Sequence, residues 1–360
     1  MHHSTDMQYM RYALSLARRG LGRTPPNPSV GCVIVKNDRV VGIGRTADGG
    51  RPHAETVTLE MAGEKAKGAS AYITLEPCAH HGQTPPCAQA LIDAGLTRCV
   101  IACEDSAPHV AGQGIAMLKK AGIEVISGVR EQEAKELNAG FFLSNEEGRP
   151  FVTLKTALSL DGKIALGNGQ SQWITNALAR AKAHQLRSRH DAILCGIGTV
   201  NMDDPMLNTR VDGLVHKSVR IILDTRLSID MNSKLVQSAL NEPVWIMHDT
   251  DDQGKIDALE NAAVKLFRCK TRDLFQVLQV ISENGVTRLL VEGGAEIHTS
   301  FLREGLFDEL AIFTGNRILG AGLSAFRDLG YEQVNEALQL KPYESIKLGQ
   351  NRLDIYKRSV

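Results

Sequence analysis

The residues best suited to chemistry are two cysteines at the ends of a proline-rich loop. The segment TLEPCAHHGQTPPC, residues 74–87, carries Cys78 and Cys87 with eight residues between them. Zinc prefers thiolate and imidazole ligands in tetrahedral geometry, and His53 in the segment PHAE offers a third ligand. Three protein ligands would leave the fourth position open for water, which is typical of a catalytic zinc rather than a structural one.

A carboxylate, Glu55, follows the histidine by two residues. A water that attacks carbon must lose a proton, and a leaving amine must gain one, so a carboxylate beside the metal could carry out both transfers. One His, two Cys and a Glu that is not a ligand are the set that zinc deaminases use. The short deaminase signature has two residues between its cysteines, so the eight found here do not match it.

Two other interpretations of this loop stay open at the level of sequence. Cys78 and Cys87 could form a disulfide, or His80 or His81 could complete a closed structural zinc site. Apolar strand patterns predict that other cysteines are small core residues, namely Cys32, Cys99, Cys103 and Cys195.

The composition limits the function classes. The chain has 360 residues, which favours two domains. It carries 41 acidic and 41 basic residues and no basic block, so a nucleic-acid surface is not favoured. No apolar stretch has the length of a membrane span and the first residues lack a signal-peptide pattern, so we expect a cytoplasmic protein with reduced cysteines and no membrane partner.

Apolar runs of strand length alternate with helical patterns along the chain. This alternation predicts an α/β fold with largely parallel sheets that helices cover. The segment SNEEGRP, residues 144–150, is polar and contains Gly and Pro, which makes it the best linker. We therefore predict one domain over residues 1–146 and a second over residues 147–360.

One motif of the second half suggests a ligand that carries phosphate. The segment LLVEGG resembles a strand that ends in glycines before a helix, so Gly294 could let backbone N–H groups approach a pyrophosphate. A plain strand-to-helix turn is the alternative. Helical spacing also places basic residues on one face, among them Arg180, His184 and Arg187, where they could either be solvated or bind an anion.

Longer motifs resemble one known family. TPPNPSVGCVIV, PHAE and TLEPCAHHGQTPPC resemble the pyrimidine deaminase domain of the bifunctional deaminase-reductase of riboflavin biosynthesis, where an insertion between the two cysteines is usual. LKTALSLDGKIA, SQWIT, GIGTVNMDDPMLNTR and LVEGGAEIHTSFL resemble its reductase domain. The resemblance implies a cytidine-deaminase-like α/β/α domain followed by a dihydrofolate-reductase-like α/β domain.

The resemblance also implies two reactions. The first is zinc-dependent hydrolytic deamination of 2,5-diamino-6-ribosylamino-4(3H)-pyrimidinone 5′-phosphate, with His53, Cys78 and Cys87 as zinc ligands and Glu55 as the acid-base catalyst. The second is reduction of the ribosyl side chain to ribityl with hydride from NADPH. Family members commonly associate into dimers or tetramers, which implies a homo-oligomer.

Matching the motifs residue by residue assigns further roles. Asn27 stands between prolines, where it is either a turn residue or an amide that meets a pyrimidine edge. Lys155 interrupts an apolar strand, and because a buried lysine needs a partner we hypothesise that it pairs with Glu292 or Asp161 and orients the sugar. The substrate contacts that the resemblance implies are Asn27, His80, Ser171, Arg187, Leu207, Arg210 and Glu292. The implied NADPH contacts are Ala157, Trp173, Thr199, Asp203, Thr225 and Gly294.

Two other function classes stay open. A nucleic-acid base deaminase, for example one acting on tRNA, would need a basic surface and no reductase half. A non-catalytic zinc-binding protein would hold metal without turnover and would give Glu55 no role.

Overall fold

Each half of the chain builds its own main β-sheet from the apolar runs of the sequence. The computed structural model describes residues 2–79, 85–106, 111–213 and 217–359. The chain divides between Gly148 and Arg149, so that residues 1–148 form a first unit and residues 149–360 a second.

The first unit combines one sheet with helices. Its strands are β1 (Gly31–Lys36), β2 (Arg39–Arg45), β3 (Ser70–Ile73), β4 (Arg98–Ile101) and β5 (Glu124–Ser127). Its helices are α1 (His2–Ala17), α2 (Ala54–Ala62), α3 (Cys87–Asp93), α4 (Gln113–Lys120), α5 (Glu131–Leu137) and α6 (Ala139–Glu146).

Strand order in this sheet is β2-β1-β3-β4-β5. β1 runs antiparallel to both of its neighbours, and Asn37 and Asp38 turn it into β2 with positive φ angles of 49° and 58°. β3, β4 and β5 are parallel to one another, because α3 and α4 connect them. The expectation of a largely parallel sheet therefore holds for the β3–β4–β5 half of this sheet, whereas the pairings of β1 with β2 and β3 are antiparallel.

Helix α1 is fixed against the sheet by close packing and by an ion pair. Gly31 of β1 lies so near the helix that an added Cβ would stand 2.0 Å from the carbonyl oxygen of Ala13. The guanidinium of Arg98, at the start of β4, donates to both carboxylate oxygens of Asp6 at 2.9 and 2.8 Å. Since both groups are largely buried, this pair fixes where the helix crosses the sheet.

The second unit contains a larger sheet. Its strands are β6 (Phe151–Leu158), β7 (Lys163–Ala165), β8 (Ala192–Gly196), β9 (Val219–Leu223), β10 (Val244–His248), β11 (Lys265–Arg268), β12 (Arg288–Glu292), β13 (Glu309–Thr314), β14 (Leu323–Ser324), β15 (Leu340–Leu348) and β16 (Asn351–Arg358). Its helices are α7 (Ala177–Arg187), α8 (Ile197–Asp203), α9 (Lys234–Gln237), α10 (Gln253–Asn261), α11 (Leu274–Glu283) and α12 (Ala295–Arg303).

The order of the large sheet is β11-β10-β9-β8-β12-β6-β13-β16-β15, and only β16 and β15 add antiparallel pairings among the described residues. From β8 the chain passes through α8 to β9 on one side. From β12 it passes through α12 to β13 on the other side. In open α/β sheets, ligands bind at the carboxyl ends of the strands where the winding direction reverses. The order therefore indicates a crevice between the ends of β8 and β12.

The expected α/β class is confirmed, and the boundary between the two units falls inside the segment 144–150 that was expected to be the linker, although only part of that segment lies outside other elements. Residues 144–146 of the expected linker belong to α6, and Arg149 is buried in the second unit, where it donates to both carboxylate oxygens of Asp308 at 2.8 and 3.0 Å. The β15–β16 hairpin was not expected, because β15 is mostly exposed and contains Pro342. Within the described ranges no helix is both long enough and apolar enough to span a bilayer.

We predict that Gly31→Ala destabilises the first unit. The new methyl group would force α1 and β1 apart, which should lower the free energy of unfolding by about 2 kcal/mol. Gly254→Ala in α10 is the matched control, because its Cβ would make only an ordinary 3.6 Å contact with Asp252. Urea unfolding followed by circular dichroism measures both variants, and equal stability of Gly31→Ala and the native chain would contradict the packing described here.

Candidate active sites

Three side chains of the first unit converge on one point. The Nδ1 atom of His53 lies 3.3 Å from the Sγ atom of Cys87 and 3.8 Å from that of Cys78. Zinc bonds of about 2.3 Å to sulfur and 2.0 Å to nitrogen, at a tetrahedral angle, place N and S about 3.5 Å apart. The three donor atoms all lie within 4.8 Å of one another, so they fit a single zinc ion.

Local structure brings each ligand to this point. His53 precedes α2 with an extended backbone, and its carbonyl accepts the amide of Val57 as the helix begins. Cys87 is the first residue of α3, and its amide donates to the sulfur of Cys78 at 3.3 Å. The next amide, that of Ala88, donates to the carbonyl of Cys78, so the start of α3 holds both cysteines together.

Hydrogen bonds within this group shift the pKa of each expected ligand. A hydrogen bond from Cys87, together with His53, lowers the pKa of the Cys78 thiol to about 4. The same bond and burial raise the pKa of Cys87, so zinc would have to displace this proton to bind both sulfurs as thiolates. The bond to Cys78 raises the pKa of His53. All seven cysteines are free thiols, which excludes the disulfide interpretation.

Glu55 lies in the first turn of α2 and is only 4 % exposed. Burial raises the pKa of its carboxyl to about 7, and the thiol of Cys87 is hydrogen bonded to it. A carboxyl group with this pKa can both accept and return a proton near neutral pH. The expected acid-base group therefore lies directly beside the expected ligands.

Two other residues expected at this site have different outcomes. The side-chain amide of Asn27 donates to the carbonyl of Gly50 at 2.8 Å, three residues before His53. Asn27 thus fixes the segment that carries the histidine, a contact that the sequence did not reveal. His80 and His81 lie outside the described residues, so the role expected for His80 stays a prediction.

In the second unit, a buried carboxylate joins two expected cations. Glu292, at the carboxyl end of β12, accepts from Nε and Nη2 of Arg187 at 2.6 and 2.9 Å. It also accepts from Nζ of Lys155, its neighbour in the parallel register of β6, at 3.3 Å. Burial opposes ionisation, but Arg187 and Lys155 hold the pKa of Glu292 well below its usual range. Asp161, the other partner considered for Lys155, instead accepts the amides of Leu319 and Gly320.

The loop over residues 204–210 is attached to helix α7. The Nη1 atom of Arg187 donates to the carbonyl of Asn208 at 2.8 Å, and the amide of Arg210 donates to Nδ1 of His184 at 3.3 Å. Burial, with Arg187 and Arg210, lowers the pKa of His184 to about 4, so its ring is neutral and can accept that bond. The loop also carries Leu207, which is buried with a φ of 48°. The basic face of α7 is therefore a structural element of the site and not only a solvated surface.

The residues expected to contact the cofactor are more widely spread. Trp173 is 59 % exposed, and its ring lies 4.3 Å from the guanidinium carbon of Arg180. Thr225 is exposed beyond β9, and its hydroxyl lies 2.7 Å from that of Thr271. The remaining expected cofactor contacts are at a strand end or in helices: Ala157 in β6, Thr199 and Asp203 in α8, and Gly294 at the start of α12. Ser171, an expected substrate contact, lies two residues before Trp173.

Three glycines at the crevice leave space that the protein does not fill. An added Cβ at Gly196, Gly198 or Gly294 would meet nothing within 4 Å, and none of these residues has a positive φ. Neither packing nor backbone conformation therefore requires glycine there. Close approach of a phosphate-bearing ligand to the backbone at these strand-to-helix junctions would explain them. The crevice thus fits a dinucleotide cofactor.

Comparisons with known proteins identify the family of each unit. Residues 3–103 match the model of the cytidine and deoxycytidylate deaminase zinc-binding region, and residues 150–352 match that of the RibD C-terminal domain. The molecule is thus a zinc-binding deaminase unit joined to a reductase unit. The riboflavin biosynthesis protein RibD of Aquifex aeolicus is 42 % identical over 353 residues, covering 98 % of each chain.

Solved structures give the same result over the whole length. Acinetobacter baumannii RibD superposes with a TM-score of 0.91 and 38 % identity, covering 99 % of this chain and 100 % of that one. The Thermotoga maritima diaminohydroxyphosphoribosylaminopyrimidine deaminase/5-amino-6-(5-phosphoribosylamino)uracil reductase has a TM-score of 0.90 and 34 % identity over both full chains. The chain belongs to the RibD family and is a bifunctional deaminase and reductase of riboflavin biosynthesis. The expected cytidine-deaminase-like and dihydrofolate-reductase-like folds are confirmed.

We predict that Cys87→Ser loses bound zinc. The substitution removes one of the three ligands, whereas Cys103→Ser is a matched control in which a buried thiol bonded to the carbonyl of Thr74 becomes a hydroxyl. Metal analysis after dialysis against a weak chelator measures the difference. Full zinc retention in Cys87→Ser would show that the metal is held elsewhere.

Proposed function

We propose that the first unit hydrolytically deaminates 2,5-diamino-6-ribosylamino-4(3H)-pyrimidinone 5′-phosphate, and that the second unit reduces the ribosyl chain of the product to ribityl. The observation that carries the first step is the meeting of His53, Cys78 and Cys87 beside the buried Glu55. The second step is supported by the paired Glu292 at the end of β12, next to the crevice. The Thermotoga maritima relative is a deaminase and reductase of this kind, which supports both reactions.

Glu55 is the proposed acid-base group of the deamination. When bound, zinc polarises a water molecule and lowers its pKa toward about 7. The Glu55 carboxylate takes a proton from the attacking water and returns it to the departing amine, which leaves as ammonia. Its pKa of about 7 keeps both protonation states accessible at neutral pH.

Asn27 is proposed to contact the pyrimidine while it stabilises the ligand segment. One amide hydrogen is used on the carbonyl of Gly50. The amide oxygen can therefore accept from an amino group of the substrate. The same side chain would then align the pyrimidine with the segment that carries His53.

In the second unit, we propose that Arg187 and Arg210 bind the substrate phosphate unequally. Arg187 uses three of its N–H groups on Glu292 and Asn208, which leaves two of the five for a ligand. Arg210 is exposed and uses its backbone amide, rather than its guanidinium, to bond to His184. Arg210 is therefore the main phosphate contact, and Arg187 chiefly orients Glu292.

The group formed by Lys155, Arg187 and Glu292 has one excess positive charge, because the carboxylate stays ionised. We propose that Lys155 and Glu292 orient the sugar, with Leu207 and Ser171 lining the substrate position. When bound, NADPH supplies the hydride to C1 of the sugar. Its proposed contacts are Ala157, Trp173, Thr199, Asp203, Thr225 and Gly294.

The location and assembly of the protein are part of the same proposal. Seven free thiols suit a reducing compartment, which supports the cytoplasm. The membership in the RibD family supports a homo-oligomer that acts on small phosphorylated pyrimidines and binds neither nucleic acid nor membrane.

We predict that Glu55→Gln stops deamination while zinc stays bound. The amide cannot transfer the proton, so ammonia release should fall by about 100-fold or more. Reduction of the already deaminated substrate, followed by loss of NADPH absorbance, serves as the internal control because it uses the other unit. Normal ammonia release from Glu55→Gln would remove the role of the carboxylate, and zinc binding without turnover in the native chain would indicate a binding protein.

We also predict that Lys155→Met impairs reduction. Removal of the cation leaves Glu292 paired with Arg187 alone, and kcat/KM should fall about tenfold or more, equivalent to ~1.4 kcal/mol or more of transition-state stabilisation. Lys341→Met, an exposed substitution on β15, is the control. Steady-state reductase assays compare the two variants, and their zinc content and ammonia release should equal those of the native chain. Normal reduction by Lys155→Met would exclude a role of Lys155 in orienting the sugar.

A further inference from the structure

A second buried carboxylate lies two residues before the ligand Cys78. Glu76 is only 4 % exposed, and its side chain accepts three backbone N–H groups. One oxygen, Oε2, accepts the amides of Gly112 at 2.9 Å and of Asp105 at 3.3 Å, and the other, Oε1, accepts the amide of Ile115 at 3.1 Å.

These bonds supply a missing helix cap. Gly112 is the residue before α4, and as a glycine it has no side chain that could accept a hydrogen bond from the first turn. The amide groups at the start of a helix need acceptors, and a carboxylate there is also favoured by the helix dipole. Glu76 therefore caps α4 from a segment 36 residues earlier in the chain.

The next residue, Pro77, rests on the same helical turn. Gly114 is so close that an added Cβ would stand 2.0 Å from the carbonyl oxygen of Pro77. The backbone amide of Glu76 donates to the carbonyl of Cys103 at 3.0 Å, which continues the pairing of β3 with β4. The two residues before Cys78 are thus held by α4 on one side and by the sheet on the other.

We propose that Glu76 is a positioning residue, which attaches the segment carrying Cys78 to the start of α4 and so sets the distance of that sulfur from His53 and Cys87. This inference rests on the proposed zinc site. A neutral amide cannot replace the carboxylate. Both carboxylate oxygens accept backbone N–H groups, whereas glutamine has only one oxygen, and its NH2 group would face a backbone N–H that also donates. The segment would shift, and with it the Cys78 sulfur.

The test measures zinc affinity rather than turnover. Glu76→Gln should raise the zinc dissociation constant by about 10–100-fold in a chelator competition, as removal of groups that orient metal ligands generally does. Gly114→Ala, which leaves the carboxylate in place but pushes against Pro77, should also raise the zinc dissociation constant. The matched control is Glu64→Gln on the exposed surface of the same unit, whose dissociation constant should stay unchanged.

A second readout separates positioning from general stability. The thermal midpoint of each variant is measured without and with excess zinc, because a ligand that binds only the folded state raises the midpoint according to its affinity. If Glu76 positions Cys78, the zinc-induced increase becomes smaller in Glu76→Gln than in the native chain. An equal increase, with the zinc dissociation constant within about twofold of native, would overturn the inference.

Cys87→Ser in the same series distinguishes failure of this inference from failure of the zinc site. If Cys87→Ser binds zinc as tightly as the native chain, the proposed site itself is wrong. If Cys87→Ser loses zinc and both Glu76→Gln and Gly114→Ala retain native affinity, only the role of Glu76 is wrong. Should Glu76→Gln fail to fold, Gly114→Ala decides the question by the same two measurements.

Discussion

A carboxylate removed from water needs hydrogen bonds or a nearby cation, since an uncompensated buried charge costs several kcal/mol. Among the described residues, three buried glutamates meet this constraint in different ways, and each has a different proposed task. Glu292 is paired with Arg187 and Lys155 and stays ionised. Glu76 is bound by backbone amides and fixes a segment of chain. Glu55 has less compensation, so its pKa rises to about 7, which is the value that proton transfer near neutral pH requires.

Both units place their chemistry where strands end and helices begin. In the first unit, the thiol ligands lie beyond β3 and at the start of α3, and the imidazole lies just before α2. In the second unit, Glu292 ends β12 and Gly294 precedes α12, beside the point where the sheet changes its winding direction. Strand ends are fixed by the sheet while helix starts offer free amides, so such junctions combine precise placement with polar groups. The two reactions differ, but the same structural property positions the residues for both.

Side-chain chemistry could be read from the sequence more completely than long-range contacts. The zinc group was predicted because thiol and imidazole ligands are rare and conspicuous, and the pairing of Lys155 followed from one cation in an apolar strand. The role of Glu76 could not be predicted, because its partners begin 29 residues later and glutamate is common on surfaces. The signal that could have revealed it is its position, directly after a buried strand. Likewise, the polar residues near Arg149 resembled a linker because the ion pair with Asp308 spans 159 residues.

Helix α7 connects the two ends of the proposed reductase site through one rigid body. Arg180 stacks on Trp173, His184 accepts the amide of Arg210, and Arg187 binds Glu292. A rise of about 1.5 Å per residue separates Arg180 from Arg187 by about 10 Å along the axis. The helix therefore fixes the distance between Arg180, which lies over the ring of Trp173, and Arg187, which binds Glu292. A substrate and cofactor that together need a different distance between these two arginines would have to move the helix. That movement would disturb all three contacts at once.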